Sequence, residues 1–419
     1  MASVFVYTSP ARGHLYPMVG VSLELQSRGH VVHVRTLAGE TGRLQDLGLT
    51  AQPIAPGIEA RELDDWRAKN PIQALELSMK TFADRAALEA DEVLTAVRET
   101  RPDLLVVDIN SWGAQAAAEA AAAEHNLPWM IFQPYFTFLP ARGVPPFGPG
   151  LVRSTTGPGR VRDTLLSRML FSRMNRLALP AINRIRSRFG LDPLGSLTTT
   201  LQRPCRVLYF TTQELEYPRD HWPENYRFVG PGLWAPPAEP PEWLARVDRP
   251  IALITCSTEH QHDRAIVETA VNALPDEGLF VVATSAAHEV DGLPADLGTG
   301  GRLERFVPHG PVVERAEVVV CHGGMGITQR ALAHGVPVVV VPFGRDQLEV
   351  GRRVEHAGAG VRLSPKDLNP AALADAVRRA RTMREGAGRI AAASAASGGA
   401  GFAADCTEEL LGQRHRLGA

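Results

Sequence analysis

Paired cysteines, an excess of charge of one sign and long apolar runs are all missing from this chain of 419 residues. The 4 cysteines lie far apart and form no CxxC pair, which argues against a disulfide framework or a zinc site and favours a reducing compartment. The formal net charge is only -2, so the composition predicts no binding to nucleic acid.

Membrane and export signals are missing as well. No apolar run reaches the roughly 18 residues that a membrane-spanning helix requires. The N-terminal stretch MASVFVYTSPARGH has no basic region before its short apolar run, unlike a secretory signal. We therefore expect a cytoplasmic protein without stable membrane insertion, and the sequence leaves open whether it is a monomer or a homodimer.

Two rounds of alternating strands and helices fill the chain. Its apolar content of 44% allows each half to bury a core, and the length predicts two domains of about 200 residues each. Because each predicted strand is a continuous apolar run, we expect parallel sheets covered by helices on both faces. The predicted fold class is α/β, with two doubly wound, Rossmann-like domains facing a central cleft. The strands that bear most on function are Val4–Thr8, Leu104–Asp108, Ile251–Cys256 and Val318–Cys321.

Composition also marks the domain boundaries. Residues 1–215 form the predicted first domain, and the proline-rich segment 216–250, which contains WAPPAEPPEW, is predicted to be a stiff linker. Residues 251–395 form the predicted second domain. We expect residues 396–419 to form a C-terminal helix that packs back on the first domain.

The loops that follow the strands should carry the chemistry, because ligands of such sheets bind beyond the carboxyl ends of the strands. In the first domain, His14 follows the first strand, Pro17 is predicted to open the next helix, and Asp108 ends the strand LLVVD. Taken singly, His14 could be a loop histidine and Asp108 a helix N-cap. At matching strand ends they favour a catalytic pair, in which His14 takes a proton and Asp108 orients its ring.

A glycine-rich turn follows a strand of the second domain, in VVVCHGGMGITQRALAHGVPVVVVP. Its glycines permit close approach of the backbone to a ligand, and the helix that follows points its free N–H groups at the turn. His322 can add a hydrogen bond to a phosphate oxygen, and Thr328 can add a hydroxyl. The simpler interpretation is a tight turn with a solvated histidine, because glycine motifs alone are weak signals.

The surrounding stretch, RFVPHGPVVERAEVVVCHGGMGITQRALAHGVPVVVVPFGRDQLE, closely resembles the donor-binding signature of family-1, GT-B-fold glycosyltransferases. That group includes macrolide and enediyne sugar transferases. The likeness extends to SPARGHLYPMVGVSLELQSRGHVV and PDLLVVD, so it covers most of the chain. It implies a GT-B fold and a nucleotide-sugar co-substrate, with no separate cofactor.

The resemblance also implies which side chains hold the base, ribose, diphosphate and sugar of the donor. These are Phe306 and Val307 for the base, His309 for the ribose, Ser257, Thr258, His322, Gly324, Gly326 and Thr328 for the diphosphate, and Asp346 and Gln347 for the sugar.

Two departures from the family pattern bear on the donor. Ile327 replaces a common phosphate-binding serine, and Arg330 stands where many members have a glutamate that accepts from ribose hydroxyls. Arginine has no hydrogen-bond acceptor, and a dTDP donor lacks the 2′-hydroxyl that needs one. The expectation is therefore that dTDP-sugars are used at least as well as UDP-sugars.

Variable segments of the first domain are rich in aromatic and apolar residues, which indicates an apolar acceptor. The residues assigned to the acceptor pocket are Trp66, Trp112, Phe136, Phe138 and Phe147. The basic stretch Arg160–Arg188 could form a membrane-surface helix, but a helix that walls the acceptor pocket is favoured. The stretch EHQHD, Glu259–Asp263, has histidines two apart and is a poor metal site. With no DxD motif in the chain, no metal is predicted.

The sequence as a whole predicts an inverting, metal-independent glycosyltransferase. It transfers a sugar from a dTDP- or UDP-linked donor to a hydroxyl of an apolar small-molecule aglycone, with His14 as general base. Two other functions remain open at this point. One is a GT-B sugar-nucleotide epimerase, and the other is a non-catalytic accessory protein that binds a sugar nucleotide.

Overall fold

The fold is described by a computed structural model over residues 1–68, 70–257, 263–286 and 297–417. It consists of two parallel sheets, each covered by helices on both faces. The predicted α/β class, with two doubly wound domains, is confirmed.

The first sheet has seven parallel strands in the order β3-β2-β1-β4-β5-β6-β7. The order reverses between β1 and β4, which pair in register from Val4 with Leu104 to Tyr7 with Val107. The crevice at such a switch point is where open α/β sheets bind ligands. The strands are β1 Ser3–Tyr7, β2 Val31–Thr36, β3 Thr50–Pro53, β4 Leu104–Asp108, β5 Trp129–Gln133, β6 Arg206–Tyr209 and β7 Tyr226–Phe228.

The second sheet repeats this plan with six parallel strands in the order β10-β9-β8-β11-β12-β13. Its switch point lies between β8 and β11, which pair from Val318 with Ala252 to Cys321 with Thr255. The strands are β8 Ile251–Thr255, β9 Phe280–Thr284, β10 Gly301–Glu304, β11 Ala316–Cys321, β12 Val338–Val340 and β13 Gly360–Arg362.

Helices cover both faces of each sheet, because continuous apolar strands leave neither face suited to water. None of the helices described is both long enough and apolar enough to span a bilayer. The helices are α1 Arg12–Ser27, α2 Ala38–Asp46, α3 Pro56–Glu59, α4 Pro71–Thr100, α5 Trp112–His125, α6 Gly157–Arg188, α7 Arg264–Ala273, α8 His309–Val313, α9 Met325–Ala333, α10 Gln347–His356, α11 Pro370–Arg381, α12 Arg384–Ala396 and α13 Gly399–Leu417.

Helix α1 begins earlier than the sequence predicts. It starts at Arg12, so Pro17 lies inside the helix and does not open it. Proline in a helix lacks an N–H and crowds the carbonyl four residues earlier, which here belongs to Gly13. His14 consequently lies in the first turn of a helix and not in a preceding loop.

The segment between the sheets is only partly irregular. Within residues 216–250, Tyr226–Phe228 forms β7 and pairs with β6, whereas the sequence predicts a linker throughout. At the other end of the chain, α13 packs against α1, and its Ala403, Ala404 and Leu410 belong to the core beneath the first sheet.

Candidate active site

Asp108 is fixed at the switch point of the first sheet by hydrogen bonds from its own and a neighbouring loop. Its Oδ2 accepts from both the backbone N–H and the hydroxyl of Ser9, each at 3.0 Å. Its Oδ1 accepts from the backbone N–H of Asn110 at 2.8 Å. Because it is fully buried and bonded on both oxygens, the carboxylate has a single orientation.

His14 contacts this carboxylate directly. Its Nδ1 lies 2.9 Å from Oδ2 and 3.0 Å from Oδ1 of Asp108, and its side chain is 15% exposed. A carboxylate accepts from Nδ1–H, and this fixes the ring tautomer in which Nε2 carries the lone pair. The two residues that the sequence assigns to catalysis are thus brought together.

Asn110 and Tyr135 complete this edge, and sequence reasoning missed both. The Tyr135 hydroxyl donates to Asn110 Oδ1 at 2.8 Å, which turns the Asn110 amide nitrogen towards His14 Nε2 at 3.4 Å. Burial raises the pKa of Tyr135 well above its ordinary value, so the phenol keeps its proton and remains a donor. A donor facing Nε2 favours a neutral imidazole, the form that a general base needs.

Asp346 lies across the cleft from this pair, as the N-cap residue of α10. Burial raises the pKa of its carboxyl, and a hydrogen bond from its own backbone N–H, followed by the charges of Arg345 and His14, offsets part of that rise. His14 and Asp346, a predicted base and a predicted sugar-binding residue, are thus close enough for their charges to interact. The two sheets therefore present their functional edges to the same space.

The glycine turn occupies the switch point of the second sheet, between β11 and the nine-residue helix α9. Gly323 has a φ of +98°, which favours glycine. A Cβ on Gly324 would lie 2.6 Å from His322 Nε2, whereas one on Gly326 would meet nothing within 4 Å. The turn thus keeps open space beside the free N–H groups of α9, as an anion site requires.

His322 lies beside a buried acid at this turn. Its Nδ1 is 3.6 Å from Oδ2 of Asp263, and the same oxygen accepts from the backbone N–H of Ser257 at 2.5 Å. Asp263 is fully buried, so it couples the loop after β8 to the turn after β11. The structure brings Ser257 and His322 together, while Thr258 lies outside the described residues.

Two residues that were predicted to bind the sugar donor instead direct their side chains at neighbouring groups of the second domain. Thr328 is fully buried, and its hydroxyl lies 3.6 Å from Cys321 Sγ, on the inner side of α9. Gln347 is also buried, and its Oε1 accepts from the backbone N–H groups of Phe343 and Gly344 at 2.7 and 3.0 Å. In this structure the Thr328 hydroxyl and the Gln347 amide oxygen shape the walls of the site.

The residues assigned to the base and ribose lie between β10 and α8. Phe306 is 74% exposed, Val307 is buried, and His309 Nε2 is 3.4 Å from the Thr284 hydroxyl. Burial, followed by the charge of Arg330, lowers the pKa of His309 to about 4. The ring is therefore neutral near neutral pH and can accept a hydrogen bond.

Arg330 is held by the segment between the two sheets. Its guanidinium donates to the backbone carbonyl of Leu233 at 2.6 Å and contacts that of Trp234 at 3.5 Å. This side chain thus ties α9 to the interdomain segment, a role that sequence reasoning did not foresee.

The five aromatic residues assigned to the acceptor pocket do not share one cavity. Phe138 and Phe147 line the same small cavity. Phe136 is fully buried beneath the Arg353 guanidinium, 4.4 Å from its ring centroid. Trp112 is buried against Phe82, and Trp66 is half-exposed beside Asp65.

A buried ionic cluster joins the acceptor side to α10. Arg353 bonds Glu216 at 2.8 Å and Glu349 at 2.7 Å. Glu349 also accepts from the backbone N–H groups of Gly148 and Gly150, both at 2.8 Å. The loop that carries Phe147 is therefore fastened to the helix that begins beside Asp346.

A second ion pair crosses the cleft. Arg345, at φ +53°, bonds the buried Asp65 through Nε and Nη2 at 3.0 and 3.2 Å.

Over the part of the chain that is described, no three His, Cys, Asp or Glu side chains form a group suited to a metal ion. Of the stretch EHQHD, only Asp263 falls within that part.

Comparison with known proteins supports the resemblance seen in the sequence. Residues 268–408 match the family model described as Erythromycin biosynthesis protein CIII-like, C-terminal domain. The chain is 31% identical over 395 residues to the 4'-demethylrebeccamycin synthase of Lentzea aerocolonigenes, across 90% of this chain and 91% of that protein.

Solved structures share the fold. The calicheamicin glycosyltransferase CalG4 superposes with a TM-score of 0.75, at 21% identity and 98% coverage of both chains. The glycosyltransferase VinC, in complex with dTDP, superposes with a TM-score of 0.69 at 21% identity, covering 99% of this chain and 100% of its own. With two parallel-sheet domains and a full-length relative of this kind, the chain belongs to the GT-B-fold natural-product glycosyltransferases, which transfer a sugar from a nucleotide-sugar donor.

Proposed function

We propose that this enzyme inverts the anomeric centre of the donor sugar, works without a metal ion, and uses His14 as the base that activates an acceptor hydroxyl. The observation that carries the proposal is the bond between His14 Nδ1 and the buried Asp108 at 2.9 Å. It leaves Nε2 as the basic nitrogen, at the edge that faces the donor residues.

In the proposed reaction, an acceptor hydroxyl takes the place of the Asn110 amide, which lies 3.4 Å from His14 Nε2. Nε2 takes the hydroxyl proton as the oxygen attacks the anomeric carbon, and the bond from that carbon to the diphosphate oxygen breaks on the opposite face. Asp108 stabilises the imidazolium that forms. General base catalysis of this kind typically contributes about 10²–10⁴-fold.

The departing nucleoside diphosphate gains negative charge, which the second domain can stabilise. The N–H groups at the start of α9 supply positive potential around the open space at Gly326, and His322 can donate a hydrogen bond to a phosphate oxygen. Such preorganised donors are worth several kcal/mol in a site that excludes water. Metal independence follows from this charge, together with the lack of a DxD motif in the sequence.

For the donor, we propose that dTDP-sugars are used at least as well as UDP-sugars. Because residue 330 is an arginine, no carboxylate at this position can accept a hydrogen bond from the ribose. Its guanidinium donates instead to the backbone carbonyl of Leu233. VinC was solved with dTDP, which is consistent with a thymidine donor in this fold. The ratio of kcat/KM values for dTDP-glucose and UDP-glucose on one acceptor tests this. A UDP preference above about tenfold, or ~1.4 kcal/mol, would contradict it.

For the acceptor, we propose an apolar small molecule with a free hydroxyl. Phe138 and Phe147 line a cavity with Phe171 and Met174, a lining that favours an apolar body. The acceptor binds on the side of the first domain, with its hydroxyl directed at His14.

One assay tests the whole proposal against its rivals. A panel of nucleotide sugars is incubated with and without an apolar alcohol or phenol, in excess EDTA, and the product is analysed by NMR. We expect acceptor-dependent turnover and an anomeric configuration opposite to that of the donor. Donor isomerisation without acceptor would indicate an epimerase, and binding without turnover an accessory protein. Loss of activity in EDTA, restored by Mg²⁺, would remove the metal-independent mechanism.

A further inference from the structure

A large groove runs along α6. It has a volume of about 1040 Å³ and lies between the helix and the loop of residues 140–144. Its lining includes Phe171 and Leu179, four arginines and the buried Asp163. We call this region, together with the exposed side of α6 described below, the α6 face.

The arginines that line the groove differ from most of the other arginines on α6. Four arginines of α6 form ion pairs with carboxylates, and they are Arg162, Arg173, Arg186 and Arg188. The four that line the groove have no ion-pair partner among the described residues, and they are Arg142 in the loop and Arg160, Arg168 and Arg176 on the helix. Arg184, elsewhere on α6, has no ion-pair partner there either. Uncompensated positive charge is thus concentrated on the α6 face.

A row of apolar side chains projects into solvent beside these arginines. Val161, Leu165 and Met169 are 59%, 58% and 59% exposed, and their spacing of four places them on one side of the helix. Val152, in the loop before the helix, is 61% exposed. The opposite side of α6 is already packed in the core through Met174 and other residues, so the exposed row is not needed for folding.

We propose that the α6 face binds the surface of an anionic lipid bilayer. An apolar row flanked by basic residues on an ordered helix is the arrangement that interfacial membrane helices use. Arginine side chains can hold lipid phosphates bidentately while their aliphatic stems follow the apolar boundary. The negative surface potential of such a bilayer is complementary to the four guanidinium groups that line the groove.

A bilayer fits this face better than a protein partner does. The exposed row is aliphatic and convex, whereas the centres of protein interfaces are enriched in aromatic residues. A fluid bilayer can deform around projecting side chains without a complementary shape. The inference does not depend on the proposed reaction, because membrane binding is measured without any sugar donor.

The position of the groove gives membrane binding a use. Phe171, which lines the groove, lies beside Phe138 with ring centroids 6.3 Å apart, and Phe138 belongs to the predicted acceptor pocket. Apolar molecules concentrate in bilayers because transfer out of water is favourable. An enzyme seated through the α6 face would take up an apolar acceptor from the phase where it is most abundant.

The test is co-sedimentation of the full chain with vesicles. We expect binding to vesicles of equal parts phosphatidylglycerol and phosphatidylcholine, weakened by high salt, and little binding to phosphatidylcholine alone. The double variant Arg160→Glu/Arg168→Glu should weaken binding about 100-fold or more. Val161→Ser/Leu165→Ser should weaken it about tenfold at unchanged charge.

Matched controls make the result specific. Arg378→Glu/Arg379→Glu changes the net charge equally on two exposed residues of α11, and Val31→Ser removes an exposed apolar side chain elsewhere. Both should bind vesicles like the unmodified chain, and all variants should melt cooperatively.

Two outcomes would overturn the proposal. One is absence of binding to anionic vesicles, or binding that the α6 variants leave unchanged. The other is saturable binding of soluble decyl phosphate, lost in the α6 variants, without any vesicle binding. That second result would assign the groove to a soluble anionic ligand. If neither vesicles nor decyl phosphate bind, the proposal is wrong, and an acidic protein becomes the better candidate partner for the α6 face.

Discussion

The two edges that face the cleft are built on opposite principles. On the first domain, Asp108 and His14 bond to each other and to the surrounding loops before any ligand arrives. On the second domain, the turn at Gly326 keeps open space beside a helix N-terminus. A base must be oriented in advance of the reaction, whereas a binding site for an anion must leave its donors available.

The second edge also shows how much of a ligand site is made by backbone. The hydroxyl of Thr328 lies against Cys321, and the amide oxygen of Gln347 holds the turn at Phe343. Since these side-chain groups are engaged within their own domain, we expect the N–H groups of α9 and His322 to carry most of the diphosphate binding.

The largest expected effect is on stability, and it comes from removing the arginine of the buried ionic cluster that joins the acceptor side to α10. Arg353 is 1% exposed and compensates two buried carboxylates, Glu216 and Glu349. Arg353→Met should therefore cost about 3–5 kcal/mol in the free energy of unfolding, because both carboxylates lose their cation. Chemical denaturation measures this.

The matched control for that variant is Arg379→Met. Arg379 lies on the surface of α11, where it pairs with Asp375 and is 58% exposed. It should change stability by no more than about 0.5 kcal/mol. Equal, small losses in the two variants would show that the ionic cluster does not join the domains energetically.

The next effect tests the pre-assembled edge. His14→Ala should lower kcat on an aliphatic alcohol by about 10² or more, while the dissociation constant of the donor stays within about twofold. Calorimetry with the nucleoside diphosphate supplies the control. Near-normal turnover of an unactivated alcohol would exclude His14 as the base.

A third effect concerns acid stability at the ribose position. Burial lowers the pKa of His309 to about 4, below the value near 6.5 of an unfolded histidine. The unfolded chain then binds a proton more readily, so stability falls as the pH drops from about 6.5 to 4. Compared with His309→Gln, the unmodified chain should lose roughly 2 kcal/mol more on going from pH 7 to pH 5. Parallel stability curves for the two proteins would contradict this.

The smallest effect tests the open edge. His322→Ala should weaken binding of a nucleoside diphosphate roughly tenfold, equivalent to ~1.4 kcal/mol. Binding of the free nucleoside should hardly change, because the proposed partner is a phosphate oxygen. An equal loss for both ligands in calorimetry would place His322 away from the phosphates.

The sequence predicted the pairing of His14 with Asp108 because parallel strands at a switch point end side by side. The start of α1 was missed because proline normally marks the first turn of a helix, whereas Pro17 lies inside α1. The short edge strands β3, β10 and β13 are hard to predict from sequence because edge strands need few apolar residues. At β3, for example, only Ala51 is buried.

Other parts of the site depend on contacts that no local pattern encodes. Asn110 and Tyr135 meet His14 only after β4 and β5 pair. The inward direction of Thr328 depends on Cys321 in the neighbouring strand. Arg330 was considered as a ribose neighbour, and its attachment to Leu233 becomes visible only when the interdomain segment passes beside α9.

The most direct test of the central claim is a double-mutant cycle on His14 and Asp108. Turnover of one aliphatic alcohol is measured for His14→Ala, Asp108→Asn and the double variant, with cooperative melting as the check on folding. If Asp108 acts by orienting His14 and stabilising the imidazolium that forms, the double variant should be no slower than His14→Ala alone. If instead the two losses multiply, the residues act independently, and the base–carboxylate pair is not the catalytic unit of this enzyme.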